Sequence, residues 1–205
     1  KQYVEINGKT VLQHTIEIFE QHSRIDLIAV ILSPEDSVFQ TALSEKVRVF
    51  RVGGASRAET VRNGVSVLLE QGLAEAQDNI LVHDAARCCL PAEALTRLLD
   101  EAGENDEGGI LAIPVADTLK RADGSHHIDE TVARAGLWQA QTPQLFQTAL
   151  LNRALSVDDL SEITDEASAV EKLGIRPRLV QGDTRNLKLT LPQDEYIVRL
   201  LLKAV

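Results

Sequence analysis

Residues 80–87 read Ile-Leu-Val-His-Asp-Ala-Ala-Arg, an apolar run that ends in Asp84, two alanines and Arg87. A short apolar run of this kind suits a buried strand of a parallel sheet, with Asp84 at the strand's carboxyl end. That rim is where open α/β sheets bind their ligands. Ala85 and Ala86 leave room for a large group to approach the backbone, and the Arg87 guanidinium is a planar fork for an anion. A lone carboxylate beside such a space suits Mg²⁺ held mainly by the phosphates of a substrate. The same residues read equally well as an ordinary strand end whose aspartate caps the next helix.

Working outward, apolar runs at 27–32, 47–52, 79–83 and 109–115 read as strands. Apolar residues three and four apart mark helices over 10–21, 56–71, 91–102 and 164–173. Residues 191–205 read as a further helix with Pro192 in its first turn. Ser56 is the expected N-cap of the second helix, with Glu59 as its capping-box partner. This alternation implies right-handed βαβ units, hence an α/β fold with a mostly parallel sheet and helices on both faces. Residues 116–135 break the rhythm. Their polar, alternating character around Ala122-Asp123-Gly124-Ser125 predicts a projecting β-hairpin arm. Such a hairpin has little core of its own, so it is expected to lie against another subunit, a flexible surface loop being the other reading of the stretch. With no linker, repeat or low-complexity segment, residues 1–205 read as one domain.

The chain carries 31 acidic against 21 basic residues, a formal charge of −10, and 44% apolar content. That balance argues against nucleic acid or an anionic membrane surface as the main partner, since both reward a basic face. No apolar run approaches the roughly 20 residues needed to span a bilayer. The only cysteines, Cys88 and Cys89, are adjacent. Neighbours in sequence cannot staple distant segments, and the pair fits a reduced, cytoplasmic compartment.

Gly53-Gly54-Ala55-Ser56-Arg57 lies between a strand and a helix, where glycines let the backbone approach a ligand and a helix N-terminus favours an anion. It is neither a Walker A loop nor a dinucleotide fingerprint, and a plain strand-to-helix turn reads as well. Hydroxyl and cationic residues collect at the ends of expected elements: Thr118, Lys120, Arg121, Arg134, Thr142, Thr164 and Lys188. Thr164 also reads as a helix cap. Lys188, between two leucines, either snorkels outward or lines a pocket floor. None of the five histidines has zinc spacing, and His83 reads as a packing residue.

Taken together, these pieces resemble the 2-C-methyl-D-erythritol 4-phosphate cytidylyltransferase family, CTP-using enzymes of the non-mevalonate isoprenoid pathway. The matching blocks are Lys1-Gln2-Tyr3, Gly53-Gly54 with Arg57-Ala58, residues 82–87, Asp117-Thr118-Leu119-Lys120-Arg121 and Gly136-Leu137-Trp138. They continue with Gln141-Thr142-Pro143-Gln144, residues 164–169 and Asn186-Leu187-Lys188. All occur in the family's order and cover nearly the whole chain.

The resemblance implies a Rossmann-like nucleotidyltransferase fold and a homodimer that exchanges its β-arms. It also implies transfer of CMP from CTP to 2-C-methyl-D-erythritol 4-phosphate, with pyrophosphate leaving. By similarity Lys1 stabilises the charged transition state, and Arg134 and Lys188 orient the methylerythritol phosphate. Arg87, Thr118, Thr142 and Thr164 help bind that substrate, with Thr118 and Arg134 serving the partner's site. Gly54, Thr60 and Ala85 match the nucleotide side, and Asp84 matches the carboxylate that holds Mg²⁺. The family also has a strand and glycine-rich loop ahead of its Lys-Gln-Tyr motif, carrying a second catalytic arginine, and the natural protein is expected to be longer accordingly. Ala55 stands where some relatives have Asp, and Cys88 where many have Pro. Two other readings are a cytidylyltransferase for a pentitol phosphate such as ribitol 5-phosphate, and a silent nucleotide-binding dimerisation module.

Overall fold

The computed structural model describes residues 1–40 and 44–203. It opens on a tight hairpin, β1 (Glu5–Ile6) and β2 (Lys9–Thr10), whose turn residues Asn7 and Gly8 both have positive φ. Helix α1 (Val11–Glu20) begins at Thr10 with a reciprocal capping box: the Thr10 hydroxyl accepts from Gln13 N–H, and the Gln13 side chain accepts from Thr10 N–H. Strands β3 (Ile28–Ile31) and β4 (Val47–Phe50) follow and pair in parallel. Next come α2 (Arg57–Glu70), β5 (Asn79–Val82), α3 (Ala92–Ala102) and β6 (Gly109–Pro114). The arm is β7 (Leu119–Ala122) with β8 (Ile128–Val132). The chain then runs through β9 (Trp138–Gln147), α4 (Thr148–Leu155), α5 (Glu166–Glu171), β10 (Arg178–Gln181) and α6 (Asp194–Leu201).

The central sheet has the order β10-β6-β9-β5. β10 pairs with β6 in parallel, whereas β9 runs against both β6 and β5. The expected parallel arrangement therefore holds for every strand of this sheet except β9, which sequence reading did not identify as a strand. Proline has no N–H for a ladder and usually argues against a central strand; here Pro143 sits where the ladder breaks. Ile110 pairs with Gln144 and Ala112 with Ala140, so Leu111 faces residues 141–143. Such a bulge re-aims side chains. Among the described residues β3 pairs only with β4, and β5 only with β9.

Side chains alternate across the sheet. Leu111 and Leu145 join Leu95, Leu98 and Val180 under α3 on one face. Ile110 and Phe146 join Leu151, Leu155 and Val170 under α4 and α5 on the other. Helices on both faces are thus observed. Three local expectations are adjusted. Ser56 does cap α2 by accepting from Glu59 N–H at 3.1 Å, but the Glu59 carboxylate turns to Ala55 N–H at 2.8 Å, so the box is not closed. The cap of α5 is Asp165, one residue past Thr164, because its carboxylate accepts from Ser168 N–H at 2.8 Å. Pro192 precedes α6, whose start is set by Asp194 accepting from Thr190 and Leu191 N–H groups. The last two residues of the 191–205 helix expectation lie outside the described residues.

Among the described residues the arm strands pair only with each other, and Asp123 organises their turn by accepting from Ser125 and His127 N–H groups. Ile128 on the arm is 67% exposed, and Leu137 and Trp138 at its base are exposed too. Leu119 and Val132 are half-buried, whereas Ile128 finds no cover among the described residues.

Candidate active site

Strand β5 stops at Val82 and delivers Asp84 to the sheet's rim. Arg57 Nε donates to Asp84 Oδ1 at 2.9 Å, and Lys188 Nζ lies 3.0 Å from Oδ2. Arg87 Nε lies 3.6 Å from the same Oδ2, beyond hydrogen-bond reach. Burial works against the charged carboxylate, but Arg57 and Lys188 outweigh it and hold Asp84 at about 2. Asp84 is therefore ionised at neutral pH. Arg57, Arg87 and Lys188 outnumber the two carboxylates they face, Asp84 and Glu166, and make a locally positive site in a chain of net charge −10. Arg87 Nη1 donates to the Asn186 carbonyl at 2.7 Å, while its buried Nε–H has no hydrogen-bond acceptor among the described residues. A donor left unmet beside Asp84 suits an incoming anion.

The strand end is held from below. Thr142 Oγ1 accepts from Asp84 N–H at 3.0 Å and also meets His83 Nδ1 at 3.0 Å. His83 Nε2 reaches the Arg87 carbonyl at 3.0 Å, a contact that requires its proton on Nε2, so Nδ1 accepts from the Thr142 hydroxyl. The ring also packs edge-on against Phe19 at 5.0 Å. His83 thus does more than pack: it ties Arg87 to Thr142 and so shapes the turn around Asp84. Thr142, expected to touch substrate, has its hydroxyl engaged beneath the site.

Burial pushes His83 down to about 4. An unfolded chain takes up a proton near pH 6.5 that the folded ring refuses until about pH 4. Stability is then full above pH 6.5 and falls as pH drops through that window, by up to about 3 kcal/mol. We expect urea midpoints measured from pH 7 to 4 to fall steeply in the wild type and distinctly less in His83→Gln. Parallel slopes would reject a neutral, buried His83.

On the other flank, the Gly53–Gly54 turn leads from β4 into α2. Gly53 N–H donates to the Leu32 carbonyl at 2.8 Å, and a Cβ there would crowd that same carbonyl. Gly54 N–H donates to Thr60 Oγ1 at 3.0 Å, and Thr60 Oγ1 donates on to the Ser56 carbonyl at 2.9 Å. Thr60 therefore sets the shape of this turn. Ala85 presents its carbonyl to the Thr15 hydroxyl at 2.8 Å.

Beside Arg87 and Lys188 opens a pocket of about 400 Å³, also lined by Gln139, Gln141, Thr184 and Leu187. Its wall is braced by two buried amides. Gln141 Nε2 donates to the Asp183 carbonyl at 2.9 Å, and Asn186 Nδ2 donates to the Thr142 carbonyl at 2.8 Å. These bonds lash residues 183–188 to the β9 bulge and present Lys188 to Asp84. Nothing in the sequence marks Gln141 or Asn186 for this role, because a bracing amide is recognisable only through its distant partner.

The sequence model of the 2-C-methyl-D-erythritol 4-phosphate cytidylyltransferase family matches residues 1–204. The chain belongs to that family. A 2-C-methyl-D-erythritol 4-phosphate cytidylyltransferase of Neisseria meningitidis serogroup C is 69% identical over all of this chain and 90% of its own length. That of Chromobacterium violaceum is 48% identical with the same coverage. Among solved structures, a 4-diphosphocytidyl-2C-methyl-D-erythritol synthase superposes with TM-score 0.93 at 67% identity, covering 98% of this chain and 93% of the other. The Francisella tularensis cytidylyltransferase superposes with TM-score 0.85 at 31% identity, covering 98% and 92%. The fold is thus the Rossmann-like nucleotidyltransferase fold of the cytidylyltransferases.

Within this cytidylyltransferase chain, the residues singled out by resemblance fall into two groups. Asp84, Ala85, Arg87, Thr142 and Lys188 converge at the rim, with Gly54 and Thr60 on its flank. Lys1, Thr118, Arg134 and Thr164 are exposed, and among the described residues no hydrogen bond or ion pair joins their side chains to Asp84. Thr118 and Arg134 flank the arm, at its root before β7 and in the turn after β8. The residue that reading by type passed over is Arg57. A cation in a helix's first turn opposes the macrodipole and calls for an anionic partner, and that was the available signal.

Proposed function

We propose that this chain transfers the cytidylyl group of CTP to 2-C-methyl-D-erythritol 4-phosphate and releases pyrophosphate. The observation that carries the reading is the ionised Asp84, paired with Arg57 and Lys188 beside a pocket that Arg87 and Lys188 line. An oxygen of the acceptor's phosphate attacks the α-phosphorus of CTP, and the bond to the bridging oxygen of pyrophosphate breaks. Chemistry of this kind needs positioning and charge stabilisation more than covalent help. Arg87 and Lys188 hold the acceptor phosphate, aided by Thr164 on the loop before α5. Gly54, Thr60 and Ala85 form the nucleotide side, and Lys1 meets the charge that develops in the transition state. Thr118 and Arg134 reach the site of a second copy through exchanged arms in a homodimer, which would cover the exposed Ile128.

The residues present fit a magnesium ion. Asp84 is ionised, and a single carboxylate suffices for an ion that keeps its waters and phosphate oxygens. The surrounding cations favour an ion that arrives with the triphosphate over a resident one. When bound, Mg²⁺ would offset charge on the phosphate oxygens. Asp84 would hold it, and Arg57 and Lys188 keep that carboxylate charged. Cys88 and Cys89 are free thiols and no helix among the described residues is long and apolar enough to cross a membrane; a cytoplasmic location accords with both.

Pyrophosphate release from CTP with 2-C-methyl-D-erythritol 4-phosphate, and separately with ribitol 5-phosphate, tests the reading. Release with the first substrate is expected. Release with the pentitol phosphate alone would overturn the choice of acceptor, and no release with either would favour a silent nucleotide-binding module.

A further inference from the structure

Arg57 is the first residue of α2, and Glu166 the first of α5. Arg57 Nη1 donates to Glu166 Oε1 at 2.7 Å and Nη2 to Oε2 at 3.1 Å, a fork-to-fork pair, while Nε holds Asp84 Oδ1 at 2.9 Å. Glu166 is 1% exposed. Its end of α5 is itself anchored: Gln144, on β9, donates to the Asp165 carboxylate at 2.9 Å and accepts from Ala167 N–H at 2.8 Å. A continuous hydrogen-bonded path therefore runs from the central sheet through the start of α5 and Arg57 to Asp84.

We propose that Arg57 and the buried Glu166 form a charge-neutral strut that fixes the orientation of the Asp84 carboxylate for its work on the nucleotide. This rests on the reading of Asp84 as the carboxylate that carries the nucleotide's metal. The alternative role for Arg57 is to grip a phosphate directly, as Arg87 and Lys188 are suited to do. Its geometry opposes that role. Releasing Glu166 would strand a buried carboxylate without a countercharge, which is strongly unfavourable. Burial already pushes the Glu166 carboxyl up, and the Arg57 guanidinium is what pulls it back toward the ionised form. Arg57 is thus committed to two carboxylates before any ligand arrives, and it acts on the reaction through Asp84. It is a positioning residue. Lysine cannot replace it, since one ammonium lacks the planar fork that spans both partners.

Calorimetric binding of CTP to the full chain, in Mg²⁺ buffer and again in EDTA, tests the proposal. Glu166→Gln is expected to weaken CTP binding at least tenfold in Mg²⁺ and less than twofold in EDTA. The pair Arg57→Met with Glu166→Leu removes both charges together, so the fold is kept without a buried orphan; it should show the same Mg²⁺-specific loss. Arg57→Lys should recover little of it. Equal weakening in both buffers would make Arg57 a direct phosphate ligand and overturn the proposal, as would wild-type binding by the double variant. Asp84→Asn separates the two readings. If it too shows no Mg²⁺-specific loss, the role of Asp84 falls; if it does and the strut variants do not, only the strut falls.

Discussion

Asp84→Asn is expected to lower cytidylyl transfer by about 10²–10³-fold while the chain still folds. Asparagine keeps the side chain's shape but not the charge that gathers Arg57, Arg87 and Lys188 around one point. Arg57 retains Glu166, whereas Lys188 loses its carboxylate partner and Arg87 the charge nearest it. The two therefore stay available to phosphate oxygens, but the negative centre that would hold the metal is gone. Stability changes in a calculable direction. The folded carboxyl titrates at about 2, below its ordinary range near 4, so the charge stabilises the fold above pH 4 and that contribution disappears as pH falls through 2. Removing it at pH 7 should cost roughly 2–3 kcal/mol, less than a domain of this size holds in reserve. Steady-state pyrophosphate release gives the first quantity and urea unfolding the second. Near-normal Mg²⁺-dependent turnover in Asp84→Asn would reject Asp84 as the carboxylate that holds the metal.

Phe146→Ala is expected to destabilise the chain by about 3–5 kcal/mol, the largest loss foreseen for one side chain. Phe146 is fully buried in the β9 face beneath α4 and α5. Its ring also lies where a Cβ on Gly108 would stand, which is why that position, with φ of +69°, is a glycine. The cavity left by alanine cannot collapse easily, because Ile110 and Leu151 are fixed by a strand and a helix. Ile197, 48% exposed, is the control: Ile197→Ala should shift stability by no more than about half a kcal/mol. Urea midpoints for the two variants compare them directly. Equal midpoints would mean that β9 does not carry the core ascribed to it.

Phe146 also marks the limit of sequence reading. Helices α1, α2 and α3 and strands β3 to β6 show as periodic or continuous apolar patterns, with Ser56 marking the start of α2, properties local to a few turns of chain. Strand β9 shows no such pattern. Its glutamines at 139, 141 and 144 and its Pro143 resemble a loop until Gln141 meets Asp183 and Gln144 meets Asp165. In the same way Asp84, Arg87 and Lys188 are recognisable as chemically capable residues, and the resemblance to cytidylyltransferases names their roles. Nothing near Lys188 in the chain says which carboxylate oxygen it faces.

By itself, then, the sequence determined the α/β alternation, the arm, the family and the residue types available for phosphate chemistry. These follow from backbone periodicity, turn residues and motif order, which act over short stretches. Only the tertiary structure decided that Arg57 clasps Glu166 and Asp84 together, that His83 and Thr142 hold the strand end, and that Arg87 keeps one N–H unmet among the described residues. Those outcomes depend on which buried polar groups meet once distant segments close on one another. Burial makes each such meeting close to obligatory, because a polar group left without a partner is costly, but it is the packing of sheet and helices that selects the partner.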